Sequence, residues 1–73
     1  MSREIKLLDV VALLEDAPAE GLRRGEVGTV VDRWKDGVFE VEFSDDATGE
    51  AYAVAAVPAE KLMKLYFRKD EAA

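Results

Sequence analysis

Trp34-Lys35-Asp36-Gly37-Val38-Phe39-Glu40-Val41-Glu42-Phe43 decides the fold class. Phe39, Val41 and Phe43 alternate with Glu40 and Glu42. That period of two puts apolar side chains on one face of a β-strand and wetted ones on the other. Just upstream, Asp36-Gly37 accepts the left-handed dihedrals of a tight hairpin turn. An antiparallel partner strand must therefore end near Trp34. Glu26 to Trp34 supplies it, entered through Gly25, which is expected at positive φ. Gly28 inside that strand marks a bulge or a tight barrel corner.

Working outward, Asp16 to Arg24 is a polar loop with Pro18 and Gly21, and Leu22 is its inward anchor. Before it, Lys6 to Glu15 carries Val10-Val11-Ala12-Leu13-Leu14, apolar on both faces. Ile5, Leu8, Ala12 and Glu15 also fit a helical spacing, but the paired valines and the following Ala17-Pro18 favour a strand. Downstream, Ser44 to Glu50 is a loop and Ala51 to Val57 a fourth strand. Tyr52, Val54 and Ala56 fall on one side of it, Ala51, Ala53, Ala55 and Val57 on the other. A helix there would have to end at Pro58 after barely two turns. Pro58 to Leu62 reads as one helical turn with proline first. Met63 to Phe67 is a short last strand and 68–73 a charged tail. Five short antiparallel strands with one helical turn before the last form an all-β, SH3-like barrel, a single domain over residues 1–73 with an ordered core of about 5–67.

Asp9-Val10-Val11-Ala12-Leu13, Leu22-Arg23-Arg24-Gly25-Glu26-Val27-Gly28-Thr29-Val30-Val31, Val41-Glu42-Phe43, Tyr52-Ala53-Val54 and Pro58-Ala59-Glu60-Lys61-Leu62 stand in this order. Together they resemble a family of small uncharacterised bacterial proteins classed as a domain of unknown function. The resemblance runs from about Ile5 to Leu65 and is most specific between Leu22 and Val31. It implies an SH3-like barrel, and genes that can lie on mobile cassettes or beside another short gene, the setting of antitoxin or immunity proteins. The family supplies no active residues to carry over. Gly25-Glu26-Val27-Gly28-Thr29-Val30 is also similar to a stretch of ribosomal and transcription-factor barrels, which speaks to fold and not to function.

The residue inventory disfavours catalysis. Cysteine and histidine are both absent, so the chain has no disulfide, no thiol nucleophile and no imidazole base or ligand. Ser2, Thr29, Ser44 and Thr48 have no evident activating neighbour. Glu40 and Glu42 share the wetted face of a strand, away from the cleft that paired acid–base carboxylates need. Arg23-Arg24-Gly25-Glu26-Val27-Gly28 lacks the strand-then-helix context of a dinucleotide loop, and Asp45-Asp46-Ala47-Thr48-Gly49-Glu50 lacks calcium-loop spacing. No enzyme activity, cofactor, metal or small-molecule substrate is expected. The longest uncharged run, Ala51 to Ala59, is too short to span a bilayer, and the charged N-terminus lacks an apolar leader. A cytoplasmic protein is expected.

The formal charge is −6, and seven acidic residues lie between Asp36 and Glu60 with no basic one. Phosphate backbones are bound mainly through lysine and arginine, so nucleic acid is a poor partner and a basic protein surface a better one. The apolar surplus is the second signal. If Val10–Leu14 and Ala51–Val57 are both strands, their outward sets form an exposed patch, and such patches mark association surfaces. The competing arrangement folds Ile5, Leu7 and Leu8 over that patch. Candidate interface residues are Trp34, Ala51, Ala53, Ala55, Val57, Tyr66 and Phe67. Trp34 and Phe67 could instead cap the two barrel ends, and Gly25, Gly28, Asp36, Gly37 and Pro58 are structural turns. The expected function is a non-enzymatic interaction module binding itself or another protein. The alternatives are a nucleic-acid-binding barrel using Arg23, Arg24, Arg33 and Lys35, and a docking subunit of a larger enzyme complex.

Overall fold

The computed structural model describes residues 4–45 and 47–66. Its strands are β1 (Val10–Leu13), β2 (Val27–Arg33), β3 (Val38–Ser44), β4 (Ala51–Pro58) and β5 (Leu62–Lys64). They form one antiparallel sheet in the order β4-β3-β2-β1-β5. A 3-10 turn, Ala59–Lys61, leads into β5. This is the expected all-β architecture, with the meander β1 to β4 and the last strand returning beside the first.

Local chemistry explains the connections. Asp36 (φ 61, ψ 31) and Gly37 (φ 73) both adopt left-handed dihedrals, and the Trp34 amide closes the hairpin on the Val38 carbonyl at 2.7 Å. Gly25 has φ 94, a conformation that costs a residue with a Cβ. Gly28 is the tight corner rather than the bulge. An added Cβ would lie 2.8 Å from the Glu42 carbonyl oxygen, whereas the register shift in β2 falls between Val30 and Asp32, at Val31.

Several element boundaries differ from the sequence reading, including the ends of β1, at Leu13 and not Glu15, and of β5, at Lys64 and short of Phe67. β1 begins at Val10, not near Lys6, because the preceding residues close a turn. In it the Asp9 amide donates to the Lys6 carbonyl at 3.1 Å, the Lys6 amide donates to Asp9 Oδ2 at 2.7 Å, and Leu8 takes φ 73. β5 covers Leu62–Lys64 instead of starting at Met63. Pro58 ends β4 and precedes the 3-10 turn instead of opening it. Phe67 and the tail 68–73 lie outside the described residues.

The core is Ile5, Val11, Leu13, Leu22, Val30, Phe39, Val41, Phe43, Ala55, Val57 and Leu62. β3 sets its register. Directly paired residues on antiparallel strands share a face, and Phe39, Val41 and Phe43 pair with Val57, Ala55 and Ala53. Those three β4 residues therefore face inward, Ala55 and Val57 buried and Ala53 half-buried. This corrects their assignment to an outer contact surface. Ala51, across from Ser44 and beyond a register shift, remains exposed. At the N-terminal end Ile5 enters the core while Leu7 and Leu8 stay exposed, so the segment does not roof the sheet.

Candidate interaction surface

The inward alternation of each strand leaves a defined outer set. Ala12 pairs with Val27 on one side and Met63 on the other, giving an apolar row across β2, β1 and β5. The next row holds Val10 opposite Thr29, with the Leu65 amide bonded to the Val10 carbonyl at 2.9 Å. Thr29 pairs onward with Glu42, and Glu42 with Val54. Tyr52 lines the same shallow depression as Val27, beside Ser44 and Asp45. Val27, Met63, Tyr52 and Val54 are each between 44% and 54% exposed. Among the paired strand residues of these two adjoining outer rows Glu42 is the one charged member, and Asp45 adds a second carboxylate beside Tyr52 at the β4 end. Water-facing β-strands usually alternate apolar-in and polar-out, so this outer face is unusually greasy.

A buttress holds one end of it. Glu26 Oε1 accepts a 2.6 Å hydrogen bond from the Tyr52 hydroxyl, and Oε2 accepts from the Arg23 amide at 2.8 Å. The Tyr52 bond, then the Arg23 amide and the Arg23 charge, hold the Glu26 carboxyl below its usual pKa. The pair spans 26 residues of sequence, and no local pattern announces it. At the opposite corner Lys64 Nζ lies 3.2 Å from Asp9 Oδ2 and 5.3 Å from the Tyr66 ring centre. Burial raises the Asp9 pKa, but the Lys6 amide and the Lys64 ammonium together outweigh it and leave the carboxyl below its usual range.

Other sequence candidates resolve differently. In the glycine-flanked Arg23–Glu26 turn, the amides that would cradle an anion are already committed. Arg23 donates to Glu26, Arg24 to Asp16 Oδ1 at 2.8 Å, Gly25 to the Leu13 carbonyl at 2.8 Å and Glu26 to the Arg23 carbonyl. Asp45 Oδ1 is likewise a turn cap, accepting from the Ala47 and Thr48 amides at 2.7 and 3.3 Å, while Asp46 lies outside the described residues. Arg23 and Arg24 precede β2, whereas Arg33 and Lys35 stand at its far end. Seven strand residues at about 3.3 Å each separate the pairs by roughly 20 Å, so they form no single basic patch. Trp34 is exposed on an open cleft of about 700 Å³ with Ile5, Phe39 and Leu62 at its base. Tyr66 is exposed beside Lys64.

Among the described residues no group of three or more acidic side chains is placed to hold a metal ion, and no helix is long and apolar enough to cross a membrane. These features define a small all-β barrel domain of SH3-like strand order with a largely apolar outer sheet face. A family model described as Domain of unknown function (DUF4926) matches residues 7–64, and the chain belongs to that family. No curated protein and no solved structure matches it.

Proposed function

We propose that this protein is a non-enzymatic interaction module, and that the outer face of β5, β1 and β2 is its contact surface with a second copy of itself. The observation that supports this is the row Met63–Ala12–Val27, flanked by Val10, Thr29 and Leu65, with no charge among the six. Burying apolar area contributes about 25 cal/mol per Å², and a chain of this length has little core to spare. Ala12 at the centre lets two sheets approach closely. Glu42 and Glu40 lie to one side, on β3, where they restrict the contact to the uncharged half and face solvent or a basic partner. A partner-capturing role of the antitoxin or immunity kind, in a cytoplasmic bacterial protein, is the finer form of the proposal, and its support is the gene setting that the family resemblance implies.

Sedimentation equilibrium tests the reading. The wild-type chain is expected to self-associate, and V27K/M63K, which places two lysines on half-exposed outer positions, is expected to sediment at the 8.1 kDa chain mass. A wild-type chain that is monomeric at high concentration, or a double variant with unchanged association, contradicts it.

A further inference from the structure

β4 is an edge strand and pairs only with β3 among the described residues. The direction of its backbone groups follows from the hairpin. The Val38 carbonyl accepts from Trp34, so Val38, Glu40 and Glu42 turn their backbone polar groups toward β2, and Phe39, Val41 and Phe43 turn theirs toward β4. On β4 the partners Ala53, Ala55 and Val57 face back to β3, which leaves the N–H and C=O groups of Val54 and Ala56 directed to the open edge. Folded proteins usually blunt such an edge with charge, proline or a short strand. β4 instead has eight residues, carries no charge and meets proline only at its last position.

Two further features surround this edge. A groove of about 290 Å³ lies along its C-terminal half, Ala55 to Pro58, with Leu13, Ala55 and Val57 on its floor and Glu15, Asp16 and Glu20 on the opposite rim against the single lysine Lys61. On the outer side, half-buried Glu40 and Glu42 sit directly across from Ala56 and Val54. Neither carboxylate has an ion-pair or side-chain hydrogen-bond partner among the described residues.

We infer that the open edge of β4 receives an extended segment of a partner protein in which apolar residues alternate with lysine or arginine, adding it as a sixth strand. The inference rests on the reading of the chain as a binding module and names a second partner class at a second surface. The backbone of the segment satisfies Val54 and Ala56. Its apolar side chains drop into the groove beside Ala55 and Val57, and its basic side chains lie over Ala56 and Val54 toward Glu40 and Glu42. Two strand spacings of about 4.8 Å separate an added strand from β3, within the joint reach of a lysine and a glutamate. Main-chain pairing supplies affinity in strand addition, and alternate side chains supply specificity.

The probe is a short soluble peptide of alternating valine and lysine, labelled and titrated into the full chain by fluorescence anisotropy. It is expected to bind saturably, and the peptide with glutamate in place of lysine is expected not to bind. N-methylation of alternate backbone amides, which keeps every side chain, should weaken binding at least about tenfold. E40Q/E42Q should weaken it by about tenfold, since two partly exposed ion pairs are lost. Equal binding of the glutamate or the N-methylated peptide overturns the inference, as does no binding of the valine–lysine peptide. Peptide that dissociates the self-associated form would mean that a second copy holds this edge, which also overturns it. A chain that self-associates through Val27 and Met63 but ignores every peptide loses this inference and keeps the broader reading. A chain that does neither loses both.

Discussion

Replacing Gly28 with alanine should cost this barrel about 2 kcal/mol, for a reason that concerns packing alone. An alanine Cβ would lie 2.7 Å from Val41 Cγ1, 2.8 Å from the Glu42 carbonyl oxygen and 2.9 Å from Phe43 Cδ2, where ordinary contact begins near 3.4 Å. Val41 and Phe43 are fully buried and cannot swing out, and the Glu42 carbonyl belongs to the β2–β3 ladder. Relief therefore requires strand separation of about 0.6 Å, at the upper end of the roughly 1–3 kcal/mol that overpacking costs. The reduced freedom of the unfolded chain returns about 0.5–1 kcal/mol. A net loss of about 2 kcal/mol corresponds to a Tm lower by roughly 8–16 °C for a domain of this size. Urea unfolding followed through Trp34 fluorescence and through circular dichroism measures it, with the m-value expected to be unchanged. A loss below about 0.5 kcal/mol, within the range of ordinary surface substitutions, would refute the close approach at this corner.

Leu8 is 75% exposed at φ 73. Leu8→Gly relieves a left-handed cost of about 1–2 kcal/mol against an unfolded-state entropy penalty of similar size. Thermal unfolding should show an effect between neutral and about 1 kcal/mol stabilising, and a clear loss would contradict the strain. Asp9 has a native pKa below its ordinary 3.8, so its contribution is present above that value and is lost as pH falls through the native pKa. Asp9→Asn should therefore cost no more than about 1 kcal/mol at neutral pH after solvent screening. The difference from wild type should shrink in acid, and a pH-independent difference would contradict the role of the Lys6 amide and Lys64. Tyr52→Phe removes the hydroxyl that binds Glu26, so the Glu26 pKa should rise toward the usual carboxylate value. An NMR carboxyl titration that finds it unmoved would contradict the buttress.

Much of this architecture was legible because single residues carried it. Phe39 to Phe43 alternates cleanly, Asp36-Gly37 needs a left-handed pair, and Leu22 is one apolar side chain in a polar loop. β4 was legible as a strand but not in its orientation. Alanine and valine occupy both faces, and only the cross-strand partners Phe39, Val41 and Phe43 decide which set is buried. The outward set of β4 is therefore Tyr52, Val54 and Ala56, not Ala53, Ala55 and Val57. Position along β2 likewise hid that the two basic pairs stand at opposite ends. The Glu26–Tyr52 bond and the bulge at Val31 depend on the assembled sheet, and no local composition signals either.

A standard interface takes about 800 Å² from each partner, roughly one-seventh of the 5512 Å² surface of this chain. The outer face of β5, β1 and β2 is where that area should be lost. Amide spectra recorded on dilution from millimolar to low micromolar concentration test this most directly. The signals of Ala12, Val27 and Met63 should shift together along one binding curve, while those of Asp36 and Gly37 hold still. Spectra that do not change with concentration, or shifts confined to residues away from that row, would contradict it.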